Sequence, residues 1–342
     1  NGSVAEGSPF VGNTKLLNET DNLFEFANTY QYKSGTSVQT GSTANNPVLR
    51  TLQQRLDDRI SIRSFGASGD GTNQTAALQR AIDQLYLNSS NKGTTAARVE
   101  LILEAGEYTT TSTIYLPPYA TIRGAGPEKT IINSSAFPAF QTANETSTPG
   151  VYADDSTSTT LNQATNITIS DLTITTQSAT ALSLVSCKDS TFENLVLRGT
   201  FVLGAAPTPA TAINMTSLST AVSSNSNTFT NVKAEKFDTG VRSDNDIKDN
   251  RWTGCTFDTL RQGFAFGVDT VLGTGGMLTG PVNNNVFESK FDNIYTSAII
   301  VTNGSYNASK NNKYYNVGNH AGTSASATVA VIDFGSLNNT SE

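Results

Sequence analysis

The sequence predicts an all-β chain, a parallel β-solenoid of short strands with one α-helix covering its N-terminal end. Three observations carry this. Charged residues make up only 15% of the 342 residues, while Ser, Thr and Asn are abundant and Ile, Val, Leu and Phe recur at regular places. That is the profile of many short strands and turns, not of disorder. From about residue 160 onward, apolar residues recur at relative positions 0, +3 and +5. The stretch SFGASGDGTNQTAALQRAIDQL, Ser64 to Leu85, joins a Gly-rich turn to the clearest helical pattern in the chain.

Residues 1–58 read as an N-terminal arm or small irregular region, rich in Gly, Ser, Thr and Asn with scattered aromatics, needing something to lie against. Within it, 46–59 is a candidate short helix, with Leu49, Leu52 and Leu56 at i, i+3 and i+7. Residues 59–342 are expected to form the solenoid. ISIRSF opens it as an alternating strand. A helix over about 73–87 follows, with Leu78, Ala81, Ile82 and Leu85 on one face. Thr72 or Asn73 is its expected cap, and Asn88 and Gly93 its end. VELILEAGEYTTTSTIYLPPYATIRGAG then reads as short strands punctuated by Gly and Pro.

The repeat is carried by Ile169/Leu172/Ile174, Phe192/Leu195/Leu197, Phe229/Val232/Ala234 and Trp252/Cys255/Phe257. Phe287 and Phe291 continue it with a slip, and Tyr314 and Val317 follow more loosely. The leading residues lie 23, 37, 23, 35 and 27 apart. Asn227, Asn250, Asn285 and Asn312 each precede a leading aromatic by two. One such repeat cannot bury its own inward residues, but stacking neighbours can. Like residues then stack about 4.8 Å apart, Phe229 over Trp252 and Phe287, with asparagines in corner ladders. The longer gaps imply loops within 199–224 and 267–282. FDTGVRS, LRQGFAFG and IYTSAIIV supply further strands.

The formal net charge of −7 argues against a nucleic-acid partner. No apolar run reaches the roughly 18 residues of a membrane span. Cys187 and Cys255 make no disulfide framework and read as buried thiols. A single histidine, His320, rules out a His-rich zinc site, and no metal or other cofactor is expected.

The Gly-rich turn fits neither phosphate-binding pattern, and no lysine lies nearby. Instead SIRSFGASGDGTNQTAALQRAIDQL and the following VELILEAGEYTTTSTIYLPPYATIRGAGPEKTII resemble the opening segment of the pectate-lyase-like right-handed β-helix superfamily. There a Phe-Gly-Ala turn and Gly-Asp-Gly lead into a helix over the first coil. The resemblance covers about 49–132. It departs at Asn73-Gln74, where the family often carries two acidic residues. With LRTLQQRLDDR preceding it, the segment is most like that of bacteriophage tailspikes and tail fibres. The resemblance implies a single-stranded right-handed parallel β-helix in a homotrimeric, extracellular virion tail protein. It implies attachment to other tail proteins through the N-terminal arm and engagement of host surface polysaccharide, with no membrane insertion.

Depolymerisation of that glycan is a further expectation, and the residues leave it open. The polygalacturonase-like motifs Asn-Thr-Asp and Gly-His-Gly are absent, and Asp57–Asp58 and Asp154–Asp155 lie outside the repeats. The repeat register supplies its own candidates, because +4 and +6 should face outward. The +6 column reads Thr175, Arg198, Glu235 and Asp258, with Asp292 or Asn293 next. On consecutive coils Glu235 and Asp258 would lie about 5 Å apart, the spacing of a retaining carboxylate pair. Mutual repulsion would raise one pKa and make an acid and a base. Arg198, Lys233 and Asp292, with Arg242 and Asp244, would contact sugar. RSDNDIKDN adds Arg242, Asp244, Asp246 and Asp249, whose short spacing could suit calcium but lacks the Gly and Glu of an EF-hand. The plainer reading of the column is a solvated ion-pair ladder. Of RSDNDIKDN it is a polar corner turn. A purely structural virion component and a non-viral lyase or hydrolase are the alternative functions.

Overall fold

A computed structural model describes residues 29–30, 50–51, 59–87, 99–143, 163–218, 221–243, 246–267, 281–301, 304–318, 332–334 and 340–341. The chain divides into two compact units, Asn1–Ile60 and Ser61–Glu342. In the first, Thr29–Tyr30 pairs antiparallel with Arg50–Thr51. Thr51 and Arg50 therefore belong to a strand, where the sequence suggested a helix over 46–59. Residues 46–49 and 52–58, with Leu49, Leu52 and Leu56, and His320 lie outside the described residues.

The second unit is a right-handed parallel β-helix, its strands stacked in three parallel sheets. The first sheet runs Glu100–Leu103, Thr121–Gly124, then the leading halves of Thr168–Thr176, Thr191–Arg198 and Thr228–Glu235. It continues through Arg251–Thr253, Asn285–Phe287, Ala308–Lys310 and Thr340–Ser341. The second runs from Asp70–Asn73 through Gly106–Thr110, Thr130–Ser134 and the trailing halves of the same long strands to Lys313–Tyr315. The third contains Ile114–Leu116, Phe140–Thr142, Leu182–Val185, Thr211–Thr216, Thr239–Ser243 and Gln262–Phe266, then Ser297–Val301 and Ile332–Phe334.

Inside, the 0 and +5 columns form two aromatic stacks. Phe192, Phe229 and Trp252 follow at centroid spacings of 4.9 and 5.0 Å. Phe257, Phe291 and Tyr314 follow at 5.1 and 5.2 Å. Phe287 is not in the first stack. Trp252 is in register with Val286, which is buried, while Phe287 faces outward beneath the Arg251 guanidinium at 5.2 Å. With Val286 leading, Ser289 and Phe291 fall at +3 and +5, and the apparent slip disappears. The next coil is led by Ser309, which puts Tyr314 at +5. The true coil offsets are 23, 37, 23, 34 and 23.

The corrected register also corrects the asparagine ladder. Asn227, Asn250, Asn284 and Asn307 form it, fully or nearly buried. Each side-chain amide donates to the next oxygen at 2.9–3.0 Å. Asn285 sits one place off, and Asn312 caps the +3 column, accepting from Ser289 N. Non-glycine residues in the left-handed region turn the corners at −3 and +2: Asn166, Asp189, Ser226, Asp249, Asn283 and Tyr306, then Asp171, Asn194, Asn231, Glu288 and Asn311. Asn and Asp tolerate that conformation best, which accounts for much of their abundance.

The helix Thr75–Ile82 covers the first coil and continues as one wide π turn, Asp83–Leu87. Leu78, Ala81 and Ile82 are buried in the core. The structural cap is Gln74, not Thr72 or Asn73, although Asn73 Oδ1 accepts from Thr75 N at 3.1 Å. The Gln79 amide donates to Tyr115 O at 3.2 Å and accepts from Tyr115 N at 2.8 Å. One side chain thus stands in for a missing strand at the edge of the third sheet. The glycines make the turn. Gly69 has a positive φ, and a Cβ on Gly106 would meet Gly69 O at 2.5 Å. Asp70 accepts from Thr72 N and Oγ1, bonds that hold its carboxyl down at about 2. Gln74 donates to Asp70 Oδ1 as well. The turn is closed on its own carboxylate and is no anion cradle.

Candidate functional site

The outer face of the second sheet collects the charged positions singled out by the repeat. In the +6 column Thr175, Arg198, Glu235, Asp258, Asp292 and Tyr315 pair in succession. In the +4 column Lys233, Thr256, Lys290 and Lys313 do the same. The strands are straight enough between corners to hold this register over six coils. Asp292, not Asn293, occupies the column; Asn293 is a left-handed corner residue.

Glu235 and Asp258 are direct neighbours on adjacent coils. Glu235 is also claimed by two cations. Arg198 Nε and Lys233 Nζ each approach it to 2.5 Å, and its side chain is 12% exposed. Burial alone would raise its pKa, but the hydrogen bonds from Lys233 and Arg198 outweigh this and hold it below the ordinary value. The expectation that crowding would turn one of the pair into an acid therefore fails for Glu235. The surrounding cations fix it as an ion, so it could serve a cleaving pair only as base or nucleophile. Asp258 accepts from Thr259 Oγ1 at 3.0 Å and Asn293 Nδ2 at 3.2 Å. Lys290 pairs with Asp292 at 2.9 Å, a hydrogen bond that raises the lysine, and stands 5.3 Å from the Tyr315 ring centre. Tyr315 is 47% exposed at the end of the stripe.

RSDNDIKDN does not join this face. Arg242 lies in the third sheet beside Asn214 and Ala265. Asp244 lies outside the described residues. Asp246 is buried, and Asp249 is an exposed corner residue accepting from Asn283 Nδ2 at 2.7 Å. Among the described residues no three potential ligand side chains come together around a metal position. Cys187 and Cys255 are buried and free, their thiols pushed up by burial to about 12 and about 11.

A second polar concavity, of about 590 Å³, escaped the sequence reading. Glu100, Arg123, Ser170, Asp171, Glu193, Asn194 and Asn231 line it on the outside of the first sheet. Arg123 bridges Asp171 at 3.1 Å and Glu100 at 3.7 Å. Asn194 and Asn231 continue the chain of bonds from Asp171. All but Glu100, which sits at −1, come from the +1 and +2 columns. The +2 corner pattern of Asp171, Asn194 and Asn231 was visible in the sequence, but Glu100 and Arg123 precede the recognisable repeats.

Residues 59–319 match the family described as rhamnogalacturonase A/epimerase, pectate lyase-like. The chain belongs to that family. No curated protein matches the sequence. Among solved structures it is similar to ORF18 of Geobacillus virus E2, at 17% identity and a TM-score of 0.51, over 77% of this chain and 54% of that one. It is also similar to the tailspike of E. coli bacteriophage HK620 solved with a pentasaccharide, at 13% identity and a TM-score of 0.48, over 92% and 60% of the two chains. The A-module of an Azotobacter vinelandii mannuronan C-5 epimerase follows, at 17% and 0.39, over 75% and 74%. The chain thus spans little more than half the length of the two phage proteins.

Proposed function

We propose that this chain is part of a bacteriophage tail protein that binds host surface polysaccharide along the outer face of the second sheet. The observation that carries the reading is the register of that face. Arg198, Lys233, Glu235, Asp258, Lys290, Asp292 and Tyr315 lie on consecutive coils in two parallel rows. One row presents mostly carboxylate acceptors and the other mostly lysine donors, at about 4.8 Å intervals, close to the length of one sugar, and the first ends on an exposed ring suited to stacking. The resemblance of the opening segment to tailspikes, and the occurrence of the fold in a viral protein, support a virion setting outside the cell. A homotrimer joined to other tail proteins through residues 1–58 completes the proposal.

The ion pairs on Glu235 favour adhesion over cleavage, because a carboxylate already neutralised by two cations is a poor base. Purified surface polysaccharide of the host supplies the test, with retention on the immobilised glycan and release of reducing ends or unsaturated sugar measured together. Retention by the wild type without release is expected. Release that vanishes in the Glu235→Gln, Asp258→Asn double variant would replace adhesion with cleavage. A wild type that neither binds nor cuts would leave the purely structural reading. Light scattering should give three times the 36.2 kDa chain mass, and a monomer would remove the trimer from the proposal.

A further inference from the structure

Each residue of the stripe is followed three positions later by a residue one corner further round the coil. Arg198, Glu235, Asp258 and Asp292 lead to Phe201, Asp238, Arg261 and Tyr295. These four come from successive coils and meet around Arg261 as a clamp. Arg261 Nε donates to Asp238 Oδ1 at 2.7 Å, with only 15% and 10% of the two side chains exposed. The guanidinium lies 5.5 Å from the Phe201 ring centre and 5.9 Å from that of Tyr295.

The clamp holds an insertion. The chain leaves the coil after Phe201 and rejoins the third sheet at Thr211. Between them, Arg261 Nη2 donates to Ala205 O at 2.8 Å, and Thr208 N donates to Asp238 Oδ1 at 3.0 Å. The segment 202–209 is thereby tied down over the two coils that carry Glu235 and Asp258. Its sequence, VLGAAPTP, has no charged side chain, and Val202 is 67% exposed. The stripe beside it is mostly charged. Nothing in the core needs this insertion, because the coil from Phe229 to Trp252 closes in 23 residues without one.

We propose that 202–209 is a specificity wall for the glycan seated on Glu235 and Asp258, admitting an uncharged sugar edge, and that Arg261 is the positioning residue that holds it. The inference rests on the polysaccharide reading above. Arg261 suits the task because its planar fork bonds two partners while its faces stack on rings, which a lysine cannot reproduce.

Val202→Asp and Val202→Lys test the wall at a site exposed enough to leave folding intact, and Arg261→Lys and Arg261→Ala test the clamp. Dissociation constants are measured on two sets of immobilised surface polysaccharide, one uncharged and one carboxylated, with amide exchange of 202–209 followed in the free protein. Val202→Asp should weaken binding of carboxylated glycan by tenfold or more, and Val202→Lys should strengthen it. A merely structural role would not respond to the sign of the charge. Both Arg261 variants should speed exchange across 202–209 at least tenfold and narrow the preference between the two sets. Equal binding by wild type and both Val202 variants would overturn the wall while leaving the polysaccharide reading standing. A wild type that binds neither set would overturn both. Unchanged exchange in Arg261→Ala would overturn the clamp by itself.

Discussion

Single residues in this solenoid are fixed by what sits one coil above and below. Asn250 both donates to Asn284 and accepts from Asn227 N and Nδ2, all within the buried interior. Replacing it with Ala removes its own bonds and strands the groups on either side. Asn250→Ala is therefore expected to cost about 2–4 kcal/mol, since each orphaned buried group carries about 1–3 kcal/mol. Urea unfolding would measure it, and a loss under about 0.5 kcal/mol would show that the ladder relaxes onto water. Glu235 sets a pH dependence instead. Its folded pKa is lowered, so its contribution is present above the unfolded value and is lost as pH falls through the folded one. Its partners are more than a third exposed, which screens the pair and keeps the effect near or below about 1 kcal/mol. The stability gap between wild type and Glu235→Gln should thus shrink as pH drops below about 4. A gap unchanged from neutral pH down to about 3 would mean that the ion pairs contribute nothing.

At the scale of elements, the sequence disclosed the strands whose spacing is fixed and blurred the rest. The 0, +3, +5 pattern located the first two sheets, because both strands lie on one side of every insertion. Three strands of the third sheet were legible as well, in FDTGVRS, LRQGFAFG and IYTSAIIV, but the insertion at 202–209 displaces Thr211–Thr216 from that spacing and hid it. The choice of Phe287 as a leading residue shows a second limit. Size suggested that the ring was internal, but Arg251 covers it outside, and the smaller Val286 fills the core. The stripe was legible because +4 and +6 follow from the same register. The pairing of Arg198 with Glu235 was legible as the ion-pair ladder, whereas the second cation, Lys233 reaching Glu235 from its own strand, was not. The helix was legible from Leu78 and Ile82, whereas the strand-like role of Gln79 was not, because an amide on a helix gives no sign of what it faces. That role is testable. Gln79→Ala leaves Tyr115 N and O at a sheet edge without their partners, and should cost about 1–3 kcal/mol. Gln79→Glu restores only an acceptor and should recover part of the loss. Equal stability of the Ala variant and the wild type would show that the edge is satisfied by solvent.

Across the β-helix, each coil packs mainly on its neighbours, so stability should be close to a sum of local and nearest-neighbour contributions. A wedge in the middle ought then to divide the molecule rather than dissolve it. Gly263 is the place for one. A Cβ there would meet Ala298 O at 2.3 Å and the Phe291 ring at 2.8 Å, and neither the backbone nor the stacked ring can retreat. Gly263→Val forces apart the strands Thr256–Phe266 and Lys290–Val301, which share the most extensive strand pairing among the described residues. The Phe257–Phe291–Tyr314 stack runs through the same contact. The coils before it keep their own ladders, with Phe192 on Phe229 inside and the helix Thr75–Ile82 still covering the N-terminal end. Hydrogen exchange on Gly263→Val should therefore show protection lost over 285–315 and retained over 101–143 and 163–198. Loss spread evenly over all coils would mean that the solenoid folds as one cooperative block and would overturn the nearest-neighbour account. The thiols give an independent reading of the same division. Both are buried and held protonated in the native state, so each is labelled only when its own coil opens. Cys255, paired by its backbone with Ser289 across the wedge, should react well before Cys187.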